Sequence, residues 1–289
     1  MTKTVVAIGE VLWDVLPNIK KPGGSSMNVA LNLHKQGIDS ELISSVGDDE
    51  NGKALLDFLK GKGFSTDLVQ THPSLATSTV EVQLDELQQA SYSIVEPVAW
   101  DEIKLNAEMI AAVQNADAFV YCSLTCRNIE SRSTIVELLT HANLKVFDIN
   151  LREPFYTIET LIPLLSAADL LKVNEDELIY LKQGLQLTGN TEEQLLKQLC
   201  KKFDIKIICL TLGEKGAHVL HEDRLYRHNG YRVKVADTIG AGDAFLATFT
   251  ANYLKAYPMD IILDRACKVG AFVASKEGAN PDYGPEVLI

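Results

Sequence analysis

Apolar, β-branched runs alternate with amphipathic stretches along this chain, and that alternation restricts the fold more than any other feature of its 289 residues. The clearest runs are VVAIG from Val5, AFVYC from Ala118, KVFDIN from Lys145, LLKVN from Leu170 and IKIICLTLG from Ile205. Between them, residues 51–62, 130–142 and 191–203 carry apolar side chains at helical spacing. Strand followed by helix implies right-handed crossovers, so an α/β fold is predicted, with a mostly parallel sheet covered by helices on both faces. Ligands on such a sheet gather at the carboxyl ends of its strands.

Two segments break the rhythm. Residues 11–21 and 77–95 are strand-like and contain no helix of their own, and TSTVEVQLDELQQASYSIVEPV reads as a hairpin turning at residues 85–89. A small antiparallel lid projecting from an α/β body would exclude water from a group-transfer reaction. No repeat, low-complexity tract or Pro/Gly/Ser linker divides the sequence, so residues 1–289 are expected to form a single domain with this lid.

The formal net charge of −12 would repel a phosphate backbone, and no basic stripe with interleaved aromatics is present, so nucleic acid is not expected as a partner. An acidic chain still binds a nucleotide where backbone N–H groups and a divalent cation supply local positive potential. No apolar run is long enough to span a bilayer, and the first apolar run is broken by Glu10 and Asp14, which suits a first β-strand rather than a signal peptide. A cytoplasmic location without membrane contact is the expectation. The five cysteines (Cys122, Cys126, Cys200, Cys209 and Cys267) are scattered and odd in number, so they are read as reduced thiols rather than a disulfide framework or zinc site. His218 and His221 would face opposite sides of a strand, which argues against a shared metal.

The chemistry concentrates in DTIGAGDAF, residues 237–245. Gly240, Ala241 and Gly242 have little or no side chain and precede a stretch with helical patterning. Small residues let the backbone approach a ligand, and the first N–H groups of a helix lack internal partners, so together they suit a transferring phosphoryl group. Asp243 in the first turn could accept a hydroxyl proton as the oxygen attacks phosphorus. The plainer alternative is a glycine-rich turn in which Asp243 only favours the helix dipole. A dinucleotide fingerprint would require glycine where Phe245 stands. Gly47, Gly52 and Lys53 have P-loop spacing, but Ala54 lacks the hydroxyl that would hold Mg²⁺, and Asp48, Asp49 and Glu50 would repel phosphates. That segment reads as an acidic helix N-terminus.

PGGSSMNVALNLHKQG (residues 22–37) and DTIGAGDAFLATF (residues 237–249) lie about two hundred residues apart, in an order far more specific than either motif alone. With them the chain resembles the PfkB, or ribokinase-like, carbohydrate kinases over nearly its whole length. The resemblance implies a ribokinase-like three-layer sandwich with a β-strand lid, transferring the γ-phosphoryl group of ATP to a sugar hydroxyl with Mg²⁺. It further implies a K⁺-like ion near Asp237, with Asp243 as base and Gly240, Ala241 and Gly242 as the anion pocket. Asp14, Gly23, Gly24 and Asn28 match positions where the family binds sugar hydroxyls and hinges the lid. NEDE, with Asn174 and Glu177, is similar to the element that organises Mg²⁺ and phosphates, Glu177 acting through water; as plain local structure it is a capping box. TLGEKG, with Thr211, Gly213 and Gly216, looks like the nucleotide loop, or else an ordinary turn. Gly278 and Ala279 in SKEGAN are similar to the segment lining the adenine pocket.

GEVLWDVLP, IVEPVAWD and DINLREPFY look most like bacterial fructokinases within the family. Arg152 is then a contact to sugar or phosphate, unless it pairs with Asp148 or another acid. The lid turn departs from the family's glycine pattern in having Asp85, Glu86, Leu87 and Gln88. Trp13 and Trp100 either line the sugar side of the lid or pack in the core. A kinase for 2-keto-3-deoxygluconate, ribose or a nucleoside would share every catalytic residue, and a non-catalytic sensor would have no need of them. An exposed lid face also offers a surface through which the chain could form a homodimer.

Overall fold

A computed structural model of the protein describes residues 2–16, 19–84 and 90–287. Its central sheet has nine strands. From one edge these are β5 (Val69–His72), β4 (Asp39–Gly47), β1 (Thr4–Ile8), β8 (Ala118–Cys122), β9 (Leu144–Asp148), β10 (Leu170–Asn174), β11 (Ile207–Thr211), β12 (Ala217–His221) and β13 (Arg224–His228). The strands from β5 to β11 pair in parallel, and β12 and β13 then turn antiparallel. Connection length explains the switch. Only Leu212 to Gly216 joins β11 to β12, too short for a crossover, and Glu222 and Asp223, both at positive φ, close the next hairpin.

Period-two alternation along the buried strands sorts their side chains into two cores. Val6, Ile8, Phe119 and Tyr121 face α3 (Ala107–Asn115), α4 (Ile129–Leu139), α5 (Ile158–Ala167), α6 (Glu175–Gly184) and α7 (Glu192–Phe203). Val5, Ala7, Ala118 and Val120 face α1 (Ser25–Lys35), α2 (Glu50–Gly61), α8 (Ala241–Leu254) and α9 (Met259–Ala274). This is the three-layer arrangement expected from the sequence. In the first core Tyr121 stacks on Phe147 at 4.8 Å and donates its hydroxyl to the Leu164 carbonyl at 2.8 Å. Helix α8 is apolar on nearly all sides and buried from Asp243 to Asn252, which suits a helix wedged between α1 and α9.

A second, smaller sheet runs β3 (Ile19–Gly23), β2 (Leu12–Leu16), β6 (Ser78–Leu84), β7 (Ala90–Ile94). The two strand-like segments that broke the alternation therefore meet, with β2 lying parallel to β6. Strands β6 and β7 pair antiparallel, as the hairpin reading expected, with Leu84 opposite Ala90. Its turn, Asp85 to Gln89, lies outside the described residues. Among the described residues all five cysteines are free, no group of His, Cys, Asp and Glu side chains could by itself hold a metal, and no helix is long and apolar enough to cross a membrane.

Candidate active site

Most helices here begin with a side-chain cap, for example Asp49, Asn106, Thr157 and Thr191. Helices α1 and α8 begin instead at glycine, with no capping side chain, and their N-terminal ends face one another. Gly240 has φ +78°, and a β-carbon there would lie 2.6 Å from that of Ala279, so both conformation and contact require glycine. The first intrahelical bond of α8 runs from Ala244 N–H to the Gly240 carbonyl at 2.9 Å, and Ala241 N–H turns back to the Thr238 carbonyl at 3.3 Å, which leaves the N–H groups of Gly242 and Asp243 at the open end.

Asp243 sits in that first turn, 9% exposed. Ser25 Oγ donates to its Oδ1 at 2.7 Å, and Asn28 Nδ2 donates to its Oδ2 at 2.8 Å. Asn28 Oδ1 in turn accepts from Asn280 Nδ2, so the segment after Ala279 braces the same carboxylate. Beneath the glycine turn lies Lys172, whose Nζ would come within 3.2 Å of a β-carbon on Gly242. Lys172 Nζ donates to both oxygens of Asp148 at 2.9 and 3.2 Å in a pair sealed from solvent. Burial works against the ammonium charge, but Asp148, Glu177 and Asp243 outweigh it and hold Lys172 above its ordinary pKa.

Opposite, Gly24 has φ +109° and presses on the Glu10 carbonyl, where a β-carbon would clash. The Glu10 side chain is 1% exposed. It accepts from Ser25 N–H at 3.1 Å, Ser26 Oγ at 3.2 Å, Thr125 Oγ1 at 2.9 Å and Cys122 Sγ at 3.2 Å. Glu10 thus ties the start of α1 to the end of β8.

The remaining sequence candidates fall around this junction. Asn174 and Glu177 form the capping box: Asn174 Oδ1 accepts from Glu177 N–H at 2.9 Å, and Glu177 Oε2 from Asn174 N–H at 2.8 Å. Glu177 Oε1 also accepts from Leu151 N–H at 3.1 Å, which joins the ends of β9 and β10. Thr211 pairs across from Asn174. Gly213, at φ +58°, faces open space, whereas Gly216 packs against His228 and Gly230 and is accounted for by the turn. Asp237 Oδ1 accepts from Ile239 N–H at 3.0 Å, and Oδ2 from Gly278 N–H at 3.2 Å, which fastens the glycine turn to the SKEGAN segment.

On the small sheet Asp14 stands opposite Lys21, so both side chains project from one face. Gly23 leaves room for the Asp14 carboxylate. Burial, with Asp237 adding and Lys21 opposing, pushes Asp14 up to about 6. Lys21 reaches over Gly278 and lies 3.9 Å from Glu277. Two alternatives that the sequence left open are decided. Arg152 does not pair with Asp148; it is exposed, its Nη1 donates to its neighbour's carbonyl at 2.8 Å, and Lys172 takes Asp148 because the register of β9 and β10 sets them opposite. Trp100 packs in the core: it is fully buried, with the Arg127 guanidinium 4.1 Å over its ring. Trp13 donates to the Asn51 carbonyl at 3.0 Å, fixing β2 to α2.

Comparison with known proteins then decides what this junction belongs to. Residues 15–284 match the family described as pfkB family carbohydrate kinase. The chain belongs to that family. It is therefore a carbohydrate kinase, a phosphotransferase with an alcohol group as acceptor. Fructokinase-2 of Oryza sativa subsp. japonica is 29% identical over 307 residues, covering 96% of this chain and 90% of the relative. A solved Vibrio cholerae fructokinase double mutant, with fructose, ADP and potassium ion bound, is 27% identical with a TM-score of 0.81, covering 96% of this chain and 94% of its own. The fold is also shared with 2-dehydro-3-deoxygluconokinase of Thermotoga maritima, at 16% identity and a TM-score of 0.86 over 100% of this chain and 97% of that one.

Three residues of the junction escaped the sequence reading. Glu10 and Lys172 are charges set within or beside apolar strand runs, an observable oddity, since such residues are almost never buried unless paired. Ser25 carried no such mark.

Proposed function

We propose that this carbohydrate kinase transfers the γ-phosphoryl group of ATP to a hydroxyl of a small sugar, D-fructose before others, with Asp243 as the general base. The observation that carries the reading is the Asp243 carboxylate, fixed by Ser25 and Asn28 beside a helix end that only glycine occupies. The sugar oxygen attacks the γ-phosphorus as the bond to the bridging oxygen of ADP breaks, and the hydroxyl proton passes to Asp243. N–H groups at Gly240, Ala241 and Gly242, with the charge of Lys172 behind them, take up the negative charge on the transferring group. Asp14, Gly23, Gly24 and Asn28 contact the sugar under the small sheet, which acts as a lid. Thr211, Gly213, Gly278 and Ala279 contact the nucleotide.

Mg²⁺, when bound, would neutralise charge on the phosphates. Both Glu177 oxygens and Asn174 Oδ1 already accept N–H groups, so these residues suit an ion reached through water rather than direct ligation. Asp237 also accepts an N–H group on each oxygen, but it lies in an exposed loop beside the Ala274 carbonyl, where the remaining lone pairs suit a weakly held monovalent cation such as K⁺. Fructose leads because relatives named fructokinase cover nearly the whole chain. One observation favours a sugar acid such as 2-keto-3-deoxygluconate instead: Arg152 forms no ion pair among the described residues and could meet a carboxylate.

ADP release by the purified protein, measured with fructose, 2-keto-3-deoxygluconate, ribose and adenosine in K⁺ or Na⁺, tests the reading. Fructose should give the highest kcat/KM. A Arg152→Ala variant that loses turnover on the sugar acid alone would favour the second reading, and ADP release that none of the four accelerates would refute the first.

A further inference from the structure

Resting on the assignment of Asp243 as base, we propose that Ser25 is a further residue of the reaction, a positioning residue that fixes the reactive carboxylate through Oδ1. A carboxylate held on one oxygen only can still rotate about its last torsion, which is broad and two-fold. Asn28 holds Oδ2 and Ser25 holds Oδ1, so rotation is stopped and each oxygen keeps a lone pair for an incoming hydroxyl. Ser25 is itself immobilised: its N–H donates to the buried Glu10 carboxylate at 3.1 Å, and Gly24 before it presses on the Glu10 backbone. The hydroxyl is therefore aimed from a rigid helix start, the setting in which a small misplacement costs rate rather than binding.

The bond reaches 218 positions along the sequence, from the first turn of α1 to the first turn of α8. The two glycine-started helix ends thus meet through Ser25 and Asn28 on one side and Asp243 on the other. A hydrogen bond to a charged group is stronger than one between neutral groups, and its loss from a fixed base should appear in kcat.

The test compares Ser25→Ala and Ser25→Thr with the full-length parent in steady-state sugar phosphorylation, with thermal melts to confirm folding. Ser25→Ala should lower kcat about tenfold with the KM values for ATP and sugar each within about twofold, and Ser25→Thr, which keeps the hydroxyl, should restore most of the loss. Turnover of Ser25→Ala within about twofold of the parent overturns the proposal. So does a loss expressed mainly in KM, or one that threonine fails to repair, since either marks a merely structural role. Asp243→Asn serves as the separate control: if it retains parental turnover, the base assignment itself fails, whatever Ser25 shows.

Discussion

Two helix starts in this protein look alike in sequence and differ in what they leave open. Helix α2 follows Gly47 with GDDENGK, and α8 follows Asp237 with DTIGAGD. At α2 the Asp49 carboxylate occupies the helix end itself, accepting from Gly52 N–H at 2.7 Å, Thr77 N–H at 2.8 Å and Thr77 Oγ1 at 2.7 Å. Burial opposes that charge, but these donors, with the Asn51 N–H, outweigh it and hold Asp49 below its ordinary pKa. At α8 the acid sits within the first turn and reaches across to α1, so no side chain caps the helix end. On the proposed reading of α8, an anion-binding helix start is marked by where its own carboxylate goes, and glycine spacing alone does not decide it.

The contrast can be broken most sharply by neutralising each acid. Asp243→Asn should lower kcat by about 10²–10⁴-fold while leaving nucleotide affinity largely intact. Asp49→Asn should leave kcat within about threefold, and a larger loss would mean that the α2 end also serves catalysis. Next in size is Gly240→Ala, which places a β-carbon at positive φ against Ala279. The left-handed strain of roughly 1–2 kcal/mol and the clash are relieved only by a shift of the turn, which should lower kcat/KM for ATP by more than about tenfold, measured at fixed sugar.

A smaller effect concerns Asp14 on the lid sheet, whose carboxyl is pushed up to about 6 by burial and by Asp237. A raised pKa means the ionised form is complete only above that value. Sugar kcat/KM should therefore fall about tenfold from pH 7 to pH 5, and Asp14→Asn should remove that acid limb. The smallest effect is on stability. Asp49→Ala should cost about 1 kcal/mol through loss of the cap, read as a lowered Tm at neutral pH. Because the folded pKa of Asp49 is depressed, its contribution is present above the ordinary 3.8 and lost as pH falls through the folded value, so the Tm gap should close in acid.

Periodicity made the parallel sheet, its crossovers and both hairpin arms of the lid legible, because each depends on spacing within one segment. Asp243 and its glycines were legible for the same local reason. The joining of β2 to β6 was not, since it depends on a parallel pairing between segments far apart in sequence. Glu10 and Lys172 were missed because their partners come from other strands and helices. Thr125 lies 115 positions from Glu10, and strand register, not sequence proximity, puts Lys172 on Asp148 in place of Arg152. Ser25 draws its meaning wholly from Asp243, on the far side of the chain.

The most direct test is a crystal structure with a non-hydrolysable ATP analogue, Mg²⁺ and the sugar found to be the best acceptor. The terminal phosphate should lie within hydrogen-bond distance of the N–H groups at residues 240–242, with Asp243 touching the acceptor hydroxyl. A nucleotide seated elsewhere, or an acceptor hydroxyl met by some other group while Asp243 stays on Ser25 and Asn28 alone, would contradict the account.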